Sequence, residues 1–112
     1  MSSRNIDVSE PKPKVNAQQL QQFKQKTVTL VCEKISVQAQ VLKAKASDGQ
    51  EVQVDINQLR VPETQFLEVE GVVTGDNTVK AKKIVSFGQQ VDMFAYNEMC
   101  KMLHGKAREM IL

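Results

Sequence analysis

From Thr27 to Phe87 the apolar positions recur with a period of two, and from Val91 onward they recur with a helical period. The first regime predicts strands, because alternate side chains of a strand fall on opposite faces. In "TVTLVCEKI" Val28, Leu30 and Cys32 share a face. "VQAQVLKAKA" alternates Val37, Ala39 and Val41 and then slips phase to Leu42, Ala44 and Ala46, which predicts a bulge inside a second strand. "SDGQ" marks a hairpin turn. Val52, Val54 and Ile56 then form a third strand, and "NQLRVPET", with Pro62, a loop. In "FLEVEGVVT" Leu67, Val69, Gly71 and Val73 alternate with acidic residues. The mid-strand Gly71 marks a bend or a close backbone approach. "GDN" turns the chain into a last strand, "TVKAKKIVSF". Five short strands joined largely by tight turns favour a small barrel over a sandwich, since closure leaves no exposed edge.

Residues 1–14 are polar, show no apolar period and read as a disordered tail ahead of a barrel unit at 15–90. A short helix is expected from Ala17 to about Phe23. Asn16 and Gln19 stand at the reciprocal positions of a capping box, and Val15 and Leu20 at those of a hydrophobic staple.

The closing stretch, "VDMFAYNEMCKMLHGKAREMIL", predicts a helix over 91–112 with Asp92 as its N-cap. On a wheel of about 100° per residue, Met93, Ala95, Tyr96, Met99, Cys100, Met102, Leu103, Ala107, Met110 and Ile111 fill an arc of about 180°. Asn97, Glu98, Lys101, His104, Arg108 and Glu109 take the other half, and Phe94 lies outside the apolar arc. A helix resting on one surface needs a stripe of roughly 100°. Met93, Tyr96, Cys100, Leu103, Ala107 and Met110 repeat at spacings of three and four, as in a bundle seam, and Ala95, Met99 and Met102 form a neighbouring stripe. One stripe can close the barrel and leave the other for a partner helix; a single wide core face is the alternative. Gly105 can end the helix early.

At 112 residues the chain is about one domain, with an apolar fraction of 41% that suits a globular protein. Its net charge of +2 predicts neither a nucleic-acid nor a membrane partner by itself. "MSSRNIDVSEPKPK" carries no apolar core of a secretory leader, and no run approaches a membrane span. Cys32 and Cys100, without CxxC spacing, read as free thiols of a reducing compartment. His104, the sole histidine, stands on the polar side of the last helix and reads as solvated. No catalytic, metal-ligating or phosphate-binding pattern occurs, so neither an enzyme nor a metal or cofactor is expected. Lys43 and Lys45 on the second strand, with Lys80, Lys82 and Lys83 on the fifth, can track a phosphate backbone. Single-strand binders add stacking aromatics, and none occurs from Val37 to Ile56. The lysines read as a solvated face or a weak auxiliary contact, with an autonomous single-strand-binding module as the alternative.

"KVNAQQLQQFKQKTV", "EVEGVVTGDNTVKAKKIVSFG" and "DMFAYNEMCKMLH", with Tyr96-Asn97-Glu98 as the most specific match, resemble the small subunit of replication protein A. That protein is the nuclear heterotrimer that coats single-stranded DNA in replication and repair. The resemblance covers most of Val15 to His104. It implies an all-β OB-fold barrel with flanking helices, whose C-terminal helix joins a three-helix bundle with helices of the middle and large subunits. It further implies a subunit that holds the trimer together while its partners supply most of the DNA affinity. The assembly residues it implies are Met93, Tyr96, Cys100, Leu103 and Ala107; Met99, from the neighbouring stripe, joins them as a candidate contact. Equivalent subunits serve RPA-like trimers at telomeres and on telomerase, and the sequence does not separate these settings.

Overall fold

The computed structural model describes residues 12–104. Six strands and two helical segments follow in order: β1 (Lys14–Val15), a 3-10 helix (Gln18–Phe23), β2 (Thr27–Gln38), β3 (Val41–Ala46), β4 (Glu51–Asp55), β5 (Phe66–Val73), β6 (Thr78–Gly88) and α1 (Met93–His104). Hydrogen bonding runs β2-β3-β4-β6-β5 and returns from β5 to β2, so the five longer strands close a ring. The closure depends on the long β2. Its first half pairs with β5 from Thr27 to Glu33 and its second half with β3 from Cys32 to Gln38. The β4–β6 pair is parallel, and the other contacts of the ring are antiparallel. This is the five-stranded ring expected from the alternation, and it agrees with the OB arrangement that the resemblance implies.

The inward positions are those the alternation marked. Val28, Leu30, Cys32, Leu42, Ala44, Val52, Val54, Leu67, Val69 and Val73 are all fully buried. The core is aliphatic throughout, and the 3-10 helix closes it by adding Ala17 and Leu20, with Val15 of β1. The capping box forms as its spacing predicts: the Gln19 amide donates to Asn16 Oδ1 at 3.0 Å and the Asn16 amide to Gln19 Oε1 at 3.1 Å. The segment winds as a 3-10 helix rather than an α-helix, being only six residues long. β1 is an addition to the expected pattern. Lys14, expected in the tail, pairs in parallel with Thr29, and the Thr29 amide donates to the Pro13 carbonyl at 2.8 Å. Two residues are too few to show a period.

The phase slip between Val41 and Leu42 has a different origin from the bulge predicted there. Gln38 pairs with Val41 across a two-residue turn at Ala39-Gln40, so Val37 and Val41 belong to different strands. The turn lacks the glycine, asparagine or aspartate that usually announces one, and Ala39 takes a left-handed φ of 53°. The bulge itself lies earlier, between Lys34 and Ser36 of β2. A left-handed alanine costs about 1 kcal/mol, so Ala39→Gly is expected to raise stability by roughly 0.5–1 kcal/mol and the midpoint of thermal unfolding by a few degrees. The turn at Ser47–Gln50 matches its sequence signal, with Gly49 at φ 84°.

Candidate functional site

Asp92 caps α1, accepting the Ala95 amide on Oδ1 at 2.9 Å. Beyond the cap, the helix departs from the wheel. Its side turned to the barrel carries Tyr96, Asn97, Cys100 and His104, so it mixes the expected seam with residues of the expected polar half. Asn16 Nδ2 donates to Asn97 Oδ1 at 2.8 Å, and Gln19 Nε2 to the Cys100 carbonyl at 3.0 Å. His104 Nε2 lies 3.0 Å from the Lys14 carbonyl, and the imidazole stands edge-on to Phe23 with centroids 5.2 Å apart. His104 is therefore half-buried and docked rather than solvated. The two capping-box side chains thus serve twice, starting the 3-10 helix and anchoring α1.

Cys100 is fully buried. Tyr96 is half-buried, and its enclosed hydroxyl, beside Cys100 and the Val31 backbone, makes no well-formed hydrogen bond among the described residues. Burial, with Cys100 and Glu68 alongside, pushes its pKa well above the ordinary tyrosine value. Burial likewise raises the Cys100 thiol to about 11 and the Cys32 thiol to about 12, from 9.0. Both thiols hold protons in the fold that the unfolded chain gives up above pH 9. Their contribution is fully present below pH 9 and is lost as pH rises through about 11 and 12. The urea midpoint is expected to fall over that window, with a shallower fall in Cys32→Ala and Cys100→Ala.

With the docked side occupied, the open half of α1 is apolar. Phe94, Met102 and Leu103 are exposed at 75%, 58% and 42%. With Ala95, Glu98 and Met99 they line a shallow groove of about 510 Å³ in which Glu98 is the one charged member. Glu98 pairs with Lys101 at 3.0 Å along its edge. The residues singled out for partner contact are therefore divided. Met99 and Leu103 lie on the open face, Met93 is half-buried at its margin, and Tyr96 and Cys100 are directed into the chain's own barrel. Ala107, with the rest of the expected helix beyond His104, lies outside the described residues. Cys100 has no surface left for a partner, because the barrel covers it. Phe94, which the wheel places outside the apolar arc and which is not among the expected contacts, is the most exposed large apolar residue among those described. The displacement has one cause. Polar side chains dock the helix through hydrogen bonds to Asn16, Gln19 and Lys14, and apolar counting cannot detect such a contact.

The lysines are separated by β4. Lys43 lies between Ser36 and Gln53, and Lys45 between Glu33 and Glu51. Lys80 stands opposite Asp55, and Lys83 opposite Glu70. The outer face of β3 and β4 therefore carries Lys43 and Lys45 against Glu51 and Asp55, with no ring to stack on. The turns flanking it are short, at Ala39-Gln40 and Gly75–Asn77. Among the described residues no group of three metal-ligating side chains forms and no helix is long and apolar enough to cross a membrane.

The family model described as Replication factor A protein 3 matches residues 8–108. A 14 kDa subunit of replication protein A from Arabidopsis thaliana is 31% identical over 96% of this chain and 100% of its own length. A second 14 kDa subunit from the same plant is 28% identical over the same shares. Among solved structures, a chain of U. maydis replication protein A bound to ssDNA superposes with a TM-score of 0.78 at 25% identity, covering 84% of this chain and 90% of that one. A chain of the S. pombe Stn1-Ten1 complex shares the fold, with a TM-score of 0.68 at 16% identity over 85% and 93%. With a family model that spans nearly all of the sequence and relatives matched from end to end, this chain belongs to the Replication factor A protein 3 family.

Proposed function

We propose that this chain is the non-catalytic assembly subunit of a nuclear, RPA-type heterotrimer that binds single-stranded DNA. The open apolar half of α1 carries the reading: Phe94, Met99, Met102 and Leu103 form a continuous face that the barrel does not cover. Exposed apolar area of this kind marks a contact surface. Methionines fit it to a helical partner, since their unbranched side chains adapt to ridges and grooves. In this reading α1 joins a three-helix bundle with one helix each from the middle and large subunits, and those subunits supply most of the DNA affinity. Lys43 and Lys45, on the charge-balanced β3–β4 face without a stacking platform, add a weak auxiliary contact to the phosphate backbone, with Lys80 and Lys82 of β6 as further candidates.

Co-expression with a middle-subunit OB protein should yield a complex stable in size-exclusion chromatography with light scattering, and the isolated chain should bind oligothymidylate far more weakly than the assembled complex. Tight binding by the isolated chain, with a steep salt dependence lost on replacing Lys43, Lys45 and Lys82, would instead make it an autonomous single-strand binder. A telomeric trimer is the alternative setting, in line with the fold shared with the S. pombe Stn1-Ten1 chain. Mass spectrometry of endogenous partners separates the two.

A further inference from the structure

A second groove lies away from α1, where the β5–β6 wall meets the loop after β4. It has a volume of about 470 Å³, and no residue of α1 lines it. Leu59, Val72 and Ala81 make its apolar floor, and Asn57, Thr74, Lys80 and Lys82 its polar margin. Its form follows from the backbone. β6 shifts register against β5 between Glu70 and Gly71, which leaves Lys82 unpaired in the ladder. The Lys82 amine reaches over β5 to the Thr27 hydroxyl at 3.5 Å. Val72, paired with Thr27 on one side and with Lys80 on the other, is thereby framed by both lysines. On the far lip Asn57 and Gln58 hold left-handed φ angles of 49° and 68°, turning the chain back so that Leu59 packs at the barrel end.

The residues that line this groove include two lysines and no carboxylate. Among the described residues neither Lys80 nor Lys82 makes an ion pair. Of the carboxylates nearby, Asp76 pairs with Lys24 at 2.7 Å, while Asp55, opposite Lys80, and Glu70, two residues before Val72, make no ion pair with either lysine. An aliphatic floor between two unpaired ammonium groups is complementary to an apolar side chain flanked by carboxylates. A nucleic acid fits less well, since bases need a ring to stack on and this groove has none. β5 is paired along both edges, whereas β6 meets β4 only from Thr78 to Lys80 and beyond that pairs with β5 alone among the described residues. We infer that this groove docks a short acidic segment of a partner protein, seating one aliphatic or aromatic side chain on Val72 and Leu59 between Lys80 and Lys82.

The inference is independent of how α1 is used. Its test takes the full chain and a short fluorescein-labelled peptide with one leucine between pairs of aspartates, followed by fluorescence anisotropy. Saturable binding is expected, weakened about tenfold by Lys80→Glu with Lys82→Glu, and similarly by Val72→Ser or by exchanging the peptide leucine for serine. Salt should weaken it too, as the lysine contacts are exposed. Lys80 and Lys82 are solvent-facing, so their variant should keep the circular dichroism and melting of the parent. Equal binding of a peptide with asparagines for aspartates, or unchanged binding by the folded lysine variant, would overturn the assignment. So would displacement by oligothymidylate at lower concentration than unlabelled peptide, which would make the groove a nucleic-acid contact. A tenfold gain in affinity on removing residues 1–11 would show that the chain's own "IDVSE" is the occupant, and would overturn a partner segment in the same way.

Discussion

Met99→Glu combined with Leu103→Glu is expected to abolish co-purification with the middle and large subunits while leaving the barrel folded. Both side chains line the open groove of α1, Met99 half-buried and Leu103 exposed, and neither belongs to the barrel core. Buried in a bundle, each would contribute about 2 kcal/mol of apolar transfer. A carboxylate placed there without a partner adds a desolvation cost, so the pair should weaken assembly by at least about 4 kcal/mol, or about a thousandfold. Cys100→Glu should act differently. Its side chain has no exposure, so the charge would be forced under the barrel and the helix would undock, with a loss visible in the melting of the isolated chain. Light scattering of co-expressed complexes and melting of the free chain together read both effects. If Met99→Glu/Leu103→Glu assembled normally, the open face would have no part in the trimer.

Gly71→Ala should be the most damaging single methyl addition in the barrel. A Cβ at this position would meet the Lys80 carbonyl oxygen and lie 2.9 Å from the Ala81 Cα. Both are backbone atoms, held by the β5–β6 ladder at the point where its register shifts. A flexible side chain could rotate away; a hydrogen-bonded carbonyl cannot. We expect a loss of about 3 kcal/mol or more, which for a domain of this size lowers the thermal midpoint by roughly 12–20 °C. Gly49→Ala is the control. No atom lies within 4 Å of its added Cβ, so its cost should be confined to the left-handed backbone, about 1 kcal/mol. Urea titrations of the two variants against the parent decide the comparison.

The barrel was legible in the sequence because its interior is a strict alternation. Val52 and Val54, or Leu67, Val69 and Val73, point inward at every second position with nothing polar among them. Gly71 could be read as a close approach for the same reason, since it occupies an inward position where every neighbour is branched. The capping box at Asn16 and Gln19 was equally legible, being local. The features the sequence concealed were tertiary or short. The turn at Ala39-Gln40 has no turn residue, because the strained φ is borne by an alanine. β1 is two residues long and becomes a strand only by borrowing β2 as its partner. The wheel of α1 showed an apolar arc too wide for one surface, and a second surface does exist. Its direction was misread because Asn97 and His104 count as polar on a wheel, yet each finds a hydrogen-bond partner 81 or 90 residues away. No spacing rule links Asn97 to Asn16.

That docking by hydrogen bonds bears on how the chain meets other subunits. Apolar burial is non-directional, so a helix held by it alone has its rotation set only by the fit of side-chain shapes. Asn16 to Asn97, Gln19 to the Cys100 carbonyl and His104 to the Lys14 carbonyl restrict that rotation further, as each weakens steeply when its angle departs from linear. The azimuth of α1 is therefore fixed before any partner arrives. Phe94, Met99, Met102 and Leu103 are presented as a rigid template, and the ordering cost that a loosely held helix would incur on assembly has already been met during folding of the barrel.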